Sequence, residues 1–408
     1  MRLSHCLSWN LPERAILRTS GNLKPRAERE PNEIKYMPAH NPGRTKDAPN
    51  TPRTPDNGNI AVLLKRESDT AAGQLALALK RASRRALLWS EEASELLATG
   101  RPLTELEGIG PHLSKLIEGW IKSPPTIDIP TESQREFLTM AQATRIQAKN
   151  CQWRANLKGD LHMHTNWSDG SAAIAEMARA AVDHGYRYIS ITDHTKGLKI
   201  ARGLNEEELA AQGEEINSVN NMLARQGVPL NILRSAEVNL SPTGEVDMEA
   251  KVLGKLDIVI GSFHSALRKT EDQTARYISA LRNPSIQILG HPQGRVYNYR
   301  VGLSADWSRV FAEAARLDKA VEIDGYADRQ DLKVSLLKIA RKEGARISLG
   351  TDAHHPWQLL FMDFSLAAAC LARISPDRII NFMPVSQLKA WVSSVRSIGS
   401  APAERVSL

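Results

Sequence analysis

Cysteine, aromatic residues and long apolar runs are all scarce in this 408-residue chain. Its three cysteines, Cys6, Cys151 and Cys370, are odd in number and widely spaced. That pattern argues against the disulfide framework of a small secreted domain. No apolar run approaches the ~18 residues of a membrane span, and the N-terminus lacks the order of a signal peptide. We therefore expect a cytoplasmic protein with no membrane partner.

The length predicts two or three domains, and the charge is mildly basic. A formal net charge of +7 permits a polyanionic partner such as nucleic acid, but many soluble proteins are equally basic. Residues 1–57 are rich in Pro, Asn, Arg and Lys and show little periodicity. This composition predicts a disordered tail, with a basic arm that touches nucleic acid as the alternative.

A helical pattern covers residues 58–122 and contains a glycine-rich turn. Gly108 and Gly110 separate two short helical stretches there. Glycines at a hairpin let backbone N–H groups come close to a phosphate, and the N-terminus of the following helix favours an anion. Lys115 lies one turn further on, within reach of a second phosphate. An ordinary αα-hairpin with a glycine turn is the alternative.

This stretch resembles a helix-hairpin-helix module, and residues 60–122 resemble the small N-terminal helical domain of X-family DNA polymerases. The resemblance implies that the hairpin of Gly108, Gly110 and Lys115 contacts a DNA backbone. Some members of that family carry a lyase lysine in this domain. The corresponding position here is Leu116, so lyase activity is not implied.

Residues 123–155 are predicted to form a linker followed by a helix at 133–149, and seven short apolar runs come after them. The runs alternate with helix-period stretches, which predicts a parallel α/β architecture. Each run ends in a polar cluster, and together they cover 159–164, 186–194, 230–237, 256–264, 286–291, 320–324 and 345–352. Reactive residues at every strand end favour a closed seven-stranded (β/α) barrel over an open sheet. We place the barrel at 156–375 and a C-terminal extension at 376–408.

Histidines and carboxylates recur at the ends of these predicted strands. His162 and His164 are two residues apart, so on a strand both imidazoles point to one face. Asp193 falls on the opposite face from His194, which indicates an orienting role. Mixed imidazole and carboxylate ligands suit Zn, Mn or Fe. The candidate metal ligands are His162, His164, Asp169, His194, Glu237, His264, His291, Asp352 and His354.

These motifs resemble those of the polymerase and histidinol phosphatase (PHP) family across residues 156–375. The resemblance implies a distorted seven-stranded, TIM-like barrel with up to three metals. It implies three ligand sets: His162, His164, Glu237 and Asp352; then Glu237 again with His264 and His291; and Asp169, His194 and His354. Two metals about 3.5–4 Å apart can hold a bridging hydroxide as the nucleophile, so no separate side-chain base is expected.

The sequence around His194, His291 and Glu322 resembles the C-terminal PHP domain of bacterial X-family polymerases in particular. Lys196, Arg295 and Arg329 each follow a predicted strand on the metal-bearing face, which makes them candidate phosphate-binding residues. The alternative is that they pair with nearby carboxylates, Asp193, Glu322 or Asp331. Only residues 123–155 separate the helical region from the barrel, which leaves no room for a polymerase palm.

We predict a metal-dependent phosphoesterase, a hydrolase that uses two or three Zn, Mn or Fe ions. The predicted substrate is a DNA end, cleaved by a 3′–5′ exonuclease or 3′-phosphatase reaction. A small-molecule phosphomonoesterase of histidinol-phosphatase type is an alternative, although such an enzyme would not need the hairpin. A DNA-binding module with purely structural metals is a third hypothesis. The sequence names no protein partner.

Overall fold

The computed structural model describes residues 54–127 and 129–400 of the chain. The predicted tail therefore lies outside the described residues except for 54–57. In chain order the helices are α1 (Asn57–Thr70), α2 (Gly73–Ala86), α3 (Ala93–Ala98), α4 (Pro111–Lys122), α5 (Met140–Lys149), α6 (Cys151–Asn156), α7 (Ile174–Asp183), α8 (Glu206–Arg225), α9 (Ala250–Leu253), α10 (Thr274–Arg282), α11 (Trp307–Arg316), α12 (Val334–Glu343), α13 (Met362–Ala372) and α14 (Val385–Ser400). The strands are β1 (Gly159–Asp160), β2 (Tyr188–Ile191), β3 (Asn231–Asn239), β4 (Ile258–Ser262), β5 (Ile288–Leu289), β6 (Ala320–Asp324) and β7 (Arg346–Gly350).

The seven strands are parallel and follow one another around a single sheet in the order β1 to β7. Just beyond their ends the first and last strands join. The amide of Asp352 donates to the carbonyl of His162 at 3.0 Å, and the amide of His164 donates to the carbonyl of Ala353 at 2.8 Å. These bonds close the sheet, so the predicted seven-stranded (β/α) barrel is confirmed.

Side-chain alternation divides the barrel interior into an apolar lower part and a polar upper part. On β3, Leu233, Ser235 and Glu237 share one face because side chains repeat every two residues along a strand. Leu233 belongs to a buried cluster that also contains Trp391 and Val392 of α14. The C-terminal helix therefore packs below the barrel, and polar side chains such as Glu237 occupy the opposite end.

The helices that connect the strands cover the outside of the sheet. Ile189 and Ile191 of β2 point outward and pack in one large core with Met177 of α7 and Ile216 of α8. The hydrophobic area buried there fixes each helix against the sheet. This packing supports the strands up to their carboxyl ends, where catalytic side chains of such barrels are held.

Helices α1 to α4 build a separate apolar core around Leu63, Leu64 and Ile117. The carboxylate of Asp56 caps α1 by accepting from the amide of Asn59 at 2.8 Å, as expected at a helix N-terminus. Tyr297, from the loop after β5, packs into the same core. The helical region therefore lies against the loops at the carboxyl ends of the strands.

The segment between the helical region and the barrel differs from the predicted helix at 133–149. It forms a short 3-10 helix, Glu132–Gln134, and then α5 from Met140. Between the two, the side chain of Gln330 binds the backbone of Leu138, accepting from its amide at 2.8 Å and donating to its carbonyl at 2.9 Å. This pairing with the barrel competes with helical hydrogen bonds, so the helix begins later than the pattern indicated.

Candidate metal centre

The nine candidate ligands lie at, or just beyond, the carboxyl ends of six strands. They are His162, His164 and Asp169 after β1, His194 after β2, Glu237 on β3, His264 after β4, His291 after β5, and Asp352 and His354 after β7. Each one lies within 4 Å of at least one other member, measured between an imidazole nitrogen and a carboxylate oxygen. The fold thus brings all nine together in one cluster.

Glu237 stands at the centre of this cluster and is 1% exposed. Its Oε1 lies 2.7 Å from Nε2 of His291 and 3.3 Å from Nε2 of His264. Its Oε2 lies 2.9 Å from Nδ1 of His194, and 3.5 and 3.6 Å from the Nε2 atoms of the two histidines that follow β1. One buried carboxylate therefore faces five imidazoles.

Two aspartates complete the cluster on its other side. Oδ1 of Asp352 lies 3.0 Å from Nε2 of His164. Oδ1 of Asp169 lies 3.4 Å from Nε2 of His354, and its Oδ2 lies 3.7 Å from Nε2 of His194. Asp352 has a φ of 52°, a left-handed backbone conformation that residues other than glycine seldom adopt and that is concentrated at functional sites.

Three overlapping groups within the cluster have ligand atoms close enough to share a metal ion. They are His164, Asp169, His194 and His354; then His162, His164 and Asp352; and His194, Glu237 and His264. The first two groups contain most of two ligand sets implied by the family resemblance. In the third group, His194 takes the place that the resemblance gives to His291.

The chemistry of these residues fits divalent metal ions. His162 Nε2, both ring nitrogens of His164, His194 Nδ1 and Glu237 Oε2 are buried, and none is aligned for a hydrogen bond with another described residue, although His194 Nδ1 and Glu237 Oε2 lie 2.9 Å apart. Buried polar atoms are almost always satisfied, and leaving one unsatisfied costs about 1–3 kcal/mol. Imidazole nitrogens and carboxylate oxygens are also the ligands that Zn and related ions prefer.

The charges around the cluster support the same conclusion. Burial, together with the neighbouring His194 and His354, lowers the pKa of His164 to about 3, so this imidazole is neutral at pH 7, as a metal ligand must be. Burial alone would raise the pKa of Glu237, but the surrounding imidazoles hold it well below its ordinary value. Neighbouring carboxylates raise the pKa of His162, His194 and His354, so a bound metal ion would displace protons from these imidazoles, while the ionised carboxylates attract the cation.

A second layer of side chains orients the histidines. Nδ1–H of His162 donates to Oε1 of Glu322 at 2.7 Å, which directs its Nε2 into the cluster. The other oxygen of Glu322 accepts from the amide of His291 at 2.7 Å. The side chain of Asn239 lies 3.2 Å from Nδ1 of His264 and plays the same role. Such partners fix the tautomer and orientation of a metal-binding imidazole.

Sequence reasoning did not assign these orienting roles to Glu322 and Asn239. A signal was present for Glu322, because alternation along β6 places it on the same face as Ala320, inside the barrel. Asp193 has the orienting role that was expected. Its carboxylate accepts from the Thr165 hydroxyl at 2.6 Å, from Ser168 at 2.5 Å and from Gln212 at 2.6 Å. It therefore holds the loop that carries Asp169.

The three candidate phosphate-binding residues lie in different surroundings. Arg329 contacts the carboxylate of Asp352, and its side chain is 32% exposed. Lys196 instead forms an exposed ion pair with Glu206 at 2.5 Å. Arg295 is buried, and its guanidinium lies 3.8 Å from the centre of the Phe137 ring in the linker. The structure brings only Arg329 into contact with the metal cluster.

The hairpin residues lie in the helical region, away from the nine ligands in sequence. Gly108 has a φ of 82°, and Gly110 immediately precedes α4. A side chain added at Gly110 would meet no atom within 4 Å. Lys115 is exposed on the first turns of α4. At Gly108 the side chain of Arg85 lies 2.6 Å from where a Cβ would stand, so the hairpin is open to solvent at Gly110, where the phosphate-binding hypothesis requires it.

Comparison with known proteins places the barrel in a family. A family model described as PHP domain matches residues 160–331. A probable phosphatase of Thermoanaerobacter sp. is 30% identical over 255 residues, which are 59% of this chain and 96% of that protein. The chain belongs to the PHP family. This PHP protein is therefore a phosphoesterase, a hydrolase of phosphoester bonds, and its His, Asp and Glu clusters are of the kind that hold divalent metals.

The comparisons also found two other similar proteins. The PHP protein is 34% identical to the DNA polymerase/3′-5′ exonuclease PolX of Bacillus subtilis over 237 residues, 58% of this chain and 41% of that one. It thus spans well under half of that relative. A crystal structure of histidinol phosphate phosphatase from Lactococcus lactis, complexed with Zn, L-histidinol and phosphate, is 19% identical. That likeness covers 53% of this chain and 92% of the other, with a TM-score of 0.38.

No helix among residues 54–127 and 129–400 is both long and apolar enough to cross a bilayer.

Proposed function

We propose that the nine clustered residues hold two or three divalent ions for phosphoester hydrolysis. The observation that carries this proposal is the convergence of nine side chains around Glu237, with buried ligand atoms that have no other partner. The ligand sets would be His162, His164, Glu237 and Asp352; Glu237 with His264 and His291; and Asp169, His194 and His354. When bound, such ions activate water and neutralise the charge that develops on a phosphoryl group.

The protein residues around the cluster bind and orient. Glu322 directs Nε2 of His162 inward, and the backbone carbonyl of Asp352 accepts from Nδ1 of His354 at 2.7 Å, which directs the other nitrogen of His354 towards Asp169. Arg329 lies beside Asp352, and about a third of its side chain is exposed. Because a guanidinium matches two phosphate oxygens, Arg329 is the residue we assign to substrate phosphate binding.

We infer that the substrate is a DNA end, processed as a 3′–5′ exonuclease or 3′-phosphatase. Two features support this. The helical region, with its open glycine hairpin, lies against the loops at the metal-bearing end of the barrel. The relative from Bacillus subtilis, 34% identical across the matched part, carries 3′-5′ exonuclease in its name. Gly108, Gly110 and Lys115 would then contact the DNA backbone.

The test compares hydrolysis of a 5′-labelled single-stranded oligonucleotide with hydrolysis of p-nitrophenyl phosphate and histidinol phosphate. Each reaction is run with Mn or Zn and with chelator, using the wild type and the His264→Ala variant. Shortening or 3′-dephosphorylation of the oligonucleotide that requires both metal and His264 is the expected result. An oligonucleotide that stays intact while small esters are cleaved would contradict the DNA assignment.

A small-molecule phosphatase is the second candidate function, and one observation favours it. The match to the probable phosphatase of Thermoanaerobacter covers 96% of that protein but only 59% of this chain. A protein little longer than the matched part therefore carries the name phosphatase. Selective turnover of histidinol phosphate in the same experiment would establish this alternative. If none of the three substrates is hydrolysed, with or without metal, only the hypothesis of a DNA-binding module remains.

A further inference from the structure

A cleft of about 600 Å³ lies between the helical region and the metal-bearing end of the barrel. Helices α1 and α2 form one wall. The opposite wall is built from loops that follow β5, β6 and β7, and these loops contribute Tyr299, Tyr326 and Trp357. Neither the nine ligands nor the hairpin residues line this cleft. Its volume falls within the range of sites that bind ligands of nucleotide size or larger.

The wall formed by the helices is positively charged. Lys65, Lys80 and Arg84 line it, and the only carboxylate in the described lining is Asp328. Lys65 is paired with Asp69 at 2.5 Å. Lys80 and Arg84 are exposed, and among the described residues neither forms an ion pair or a hydrogen bond, although the charge of Arg84 acts on the carboxylate of Asp328. Two cations are thus available to an anionic ligand.

The opposite wall offers exposed aromatic rings. Tyr299 is 65% exposed and Trp357 is 47% exposed, which is unusual for such large side chains. The guanidinium of Arg268 lies 4.7 Å from the centre of the Tyr299 ring and adds a cation at the rim. Cations that face aromatic rings across a groove are the arrangement with which proteins bind single-stranded nucleic acid, since phosphates pair with the cations and bases stack on the rings.

Two residues that line the cleft also contact His354, one of the proposed metal ligands. Tyr326 lines the cleft, and its ring centre lies 6.0 Å from that of His354 in an edge-to-face arrangement. Gln358 also lines the cleft, and its Oε1 accepts from the amide of His354 at 2.7 Å. Arg329 lies over the other part of the Tyr326 ring, 5.4 Å from its centre. A strand in the cleft would therefore end beside the proposed metal ligands.

We propose that this cleft binds the single-stranded end of a DNA substrate and leads it to the metal centre. The inference rests on the proposed function and adds the route of the strand. Lys80 and Arg84 bind successive phosphates, and Tyr299 and Trp357 stack on bases. The glycine hairpin is then left to the duplex portion of the substrate.

Binding is measured by fluorescence anisotropy with a labelled oligo-dT in chelator, so that hydrolysis plays no part. Arg84→Ala is compared with Arg81→Ala, a matched change on α2 at an exposed arginine that does not line the cleft. We expect the first change to weaken binding about tenfold and the second to leave it unchanged. For the double variant Lys80→Ala/Arg84→Ala, we expect the slope of log Kd against log salt concentration to fall by about 1.4, because two phosphate contacts to a single strand are lost.

Tyr299→Ala tests the aromatic wall, and we expect it to weaken binding about fivefold or more, as removal of a stacking ring does. Equal effects of Arg84→Ala and Arg81→Ala would overturn the proposal, because they would indicate only general attraction to a basic helix. A blunt duplex that binds more tightly than oligo-dT and depends equally on Arg84 would also overturn it. Because binding is measured in chelator, it is independent of hydrolysis. Cleft binding combined with no cleavage of the oligonucleotide when Mn or Zn is supplied would refute the nuclease assignment and keep the cleft.

Discussion

The metal-bearing end of the barrel and the helical region differ in how their functional residues are held. At the barrel end, the histidines and carboxylates are mostly buried, and several of them are held by a neighbouring side chain, as Glu322 holds His162. In the helical region the proposed contacts are common, exposed residues such as Lys80, Arg84 and Lys115, with no supporting layer. Chemistry requires groups held in place before the substrate arrives, whereas binding of a flexible polyanion requires mainly charge.

The largest expected effect lies at the centre of the barrel site. Glu237→Gln keeps the size of the side chain but removes the charge shared by five imidazoles. We expect hydrolysis of p-nitrophenyl phosphate to fall about 10³-fold, since metal activation is worth several kcal/mol. Glu214→Gln, an exposed change on α8, is the control and should be silent. Comparable activity of the two variants would show that Glu237 is not a metal ligand.

The next effect tests whether the helical region is a folded part of the molecule with its own core. Ile117 is fully buried in the core of α1 to α4, so Ile117→Ala should lower the free energy of unfolding by about 2–5 kcal/mol. Leu77→Ala, at a side chain 48% exposed, should change it by less than about 0.5 kcal/mol. Urea denaturation followed by circular dichroism measures both. Indistinguishable midpoints would contradict the packing described for this region.

A smaller effect is expected from the layer behind the ligands. Glu322→Gln retains a hydrogen-bond acceptor for His162 but loses the negative charge. We expect metal affinity to fall about 10- to 100-fold, as loss of such partners does elsewhere. Metal titration of the chelator-treated protein gives the dissociation constants. An unchanged affinity would reduce Glu322 to a packing role and weaken the contrast with the helical region.

The smallest effect concerns the hairpin. Gly110→Val places a side chain in open space, so the fold should tolerate it while the approach of a phosphate is blocked. DNA binding should weaken about tenfold, because one hydrogen bond to a charged group contributes about that much binding free energy. Hydrolysis of p-nitrophenyl phosphate should stay at the wild-type rate. Gly119→Val, at an exposed position later in α4, is the matched control. Equal loss of binding and hydrolysis in Gly110→Val would refute the division of labour between the two regions.

Much of the barrel could be predicted because its information is local. Alternating strands and helices fix the architecture, and period-two spacing puts His162 and His164 on one face, so the ligands could be named one strand at a time. Glu322 could have been found in the same way. The pairing of Lys196 with Glu206 could not, because it depends on which way an exposed side chain turns after its strand.

The remaining features depend on contacts between distant parts of the chain. Gln330 delays the start of the helix after the linker through bonds to Leu138, 192 residues away. The cleft joins Lys80 of α2 to Trp357 beyond β7, and neither position has a local pattern that marks it. Exposed lysines and arginines are frequent on any surface, so their grouping becomes visible only in three dimensions.

The most direct test of the metal-centred account is the metal content of the purified protein, measured together with hydrolysis before and after chelation. The account predicts two or three divalent ions per chain by inductively coupled plasma mass spectrometry. It also predicts that hydrolysis of p-nitrophenyl phosphate is lost on chelation and returns when Mn or Zn is added. A protein that contains no stoichiometric metal, or that hydrolyses the ester equally well in chelator, would contradict it.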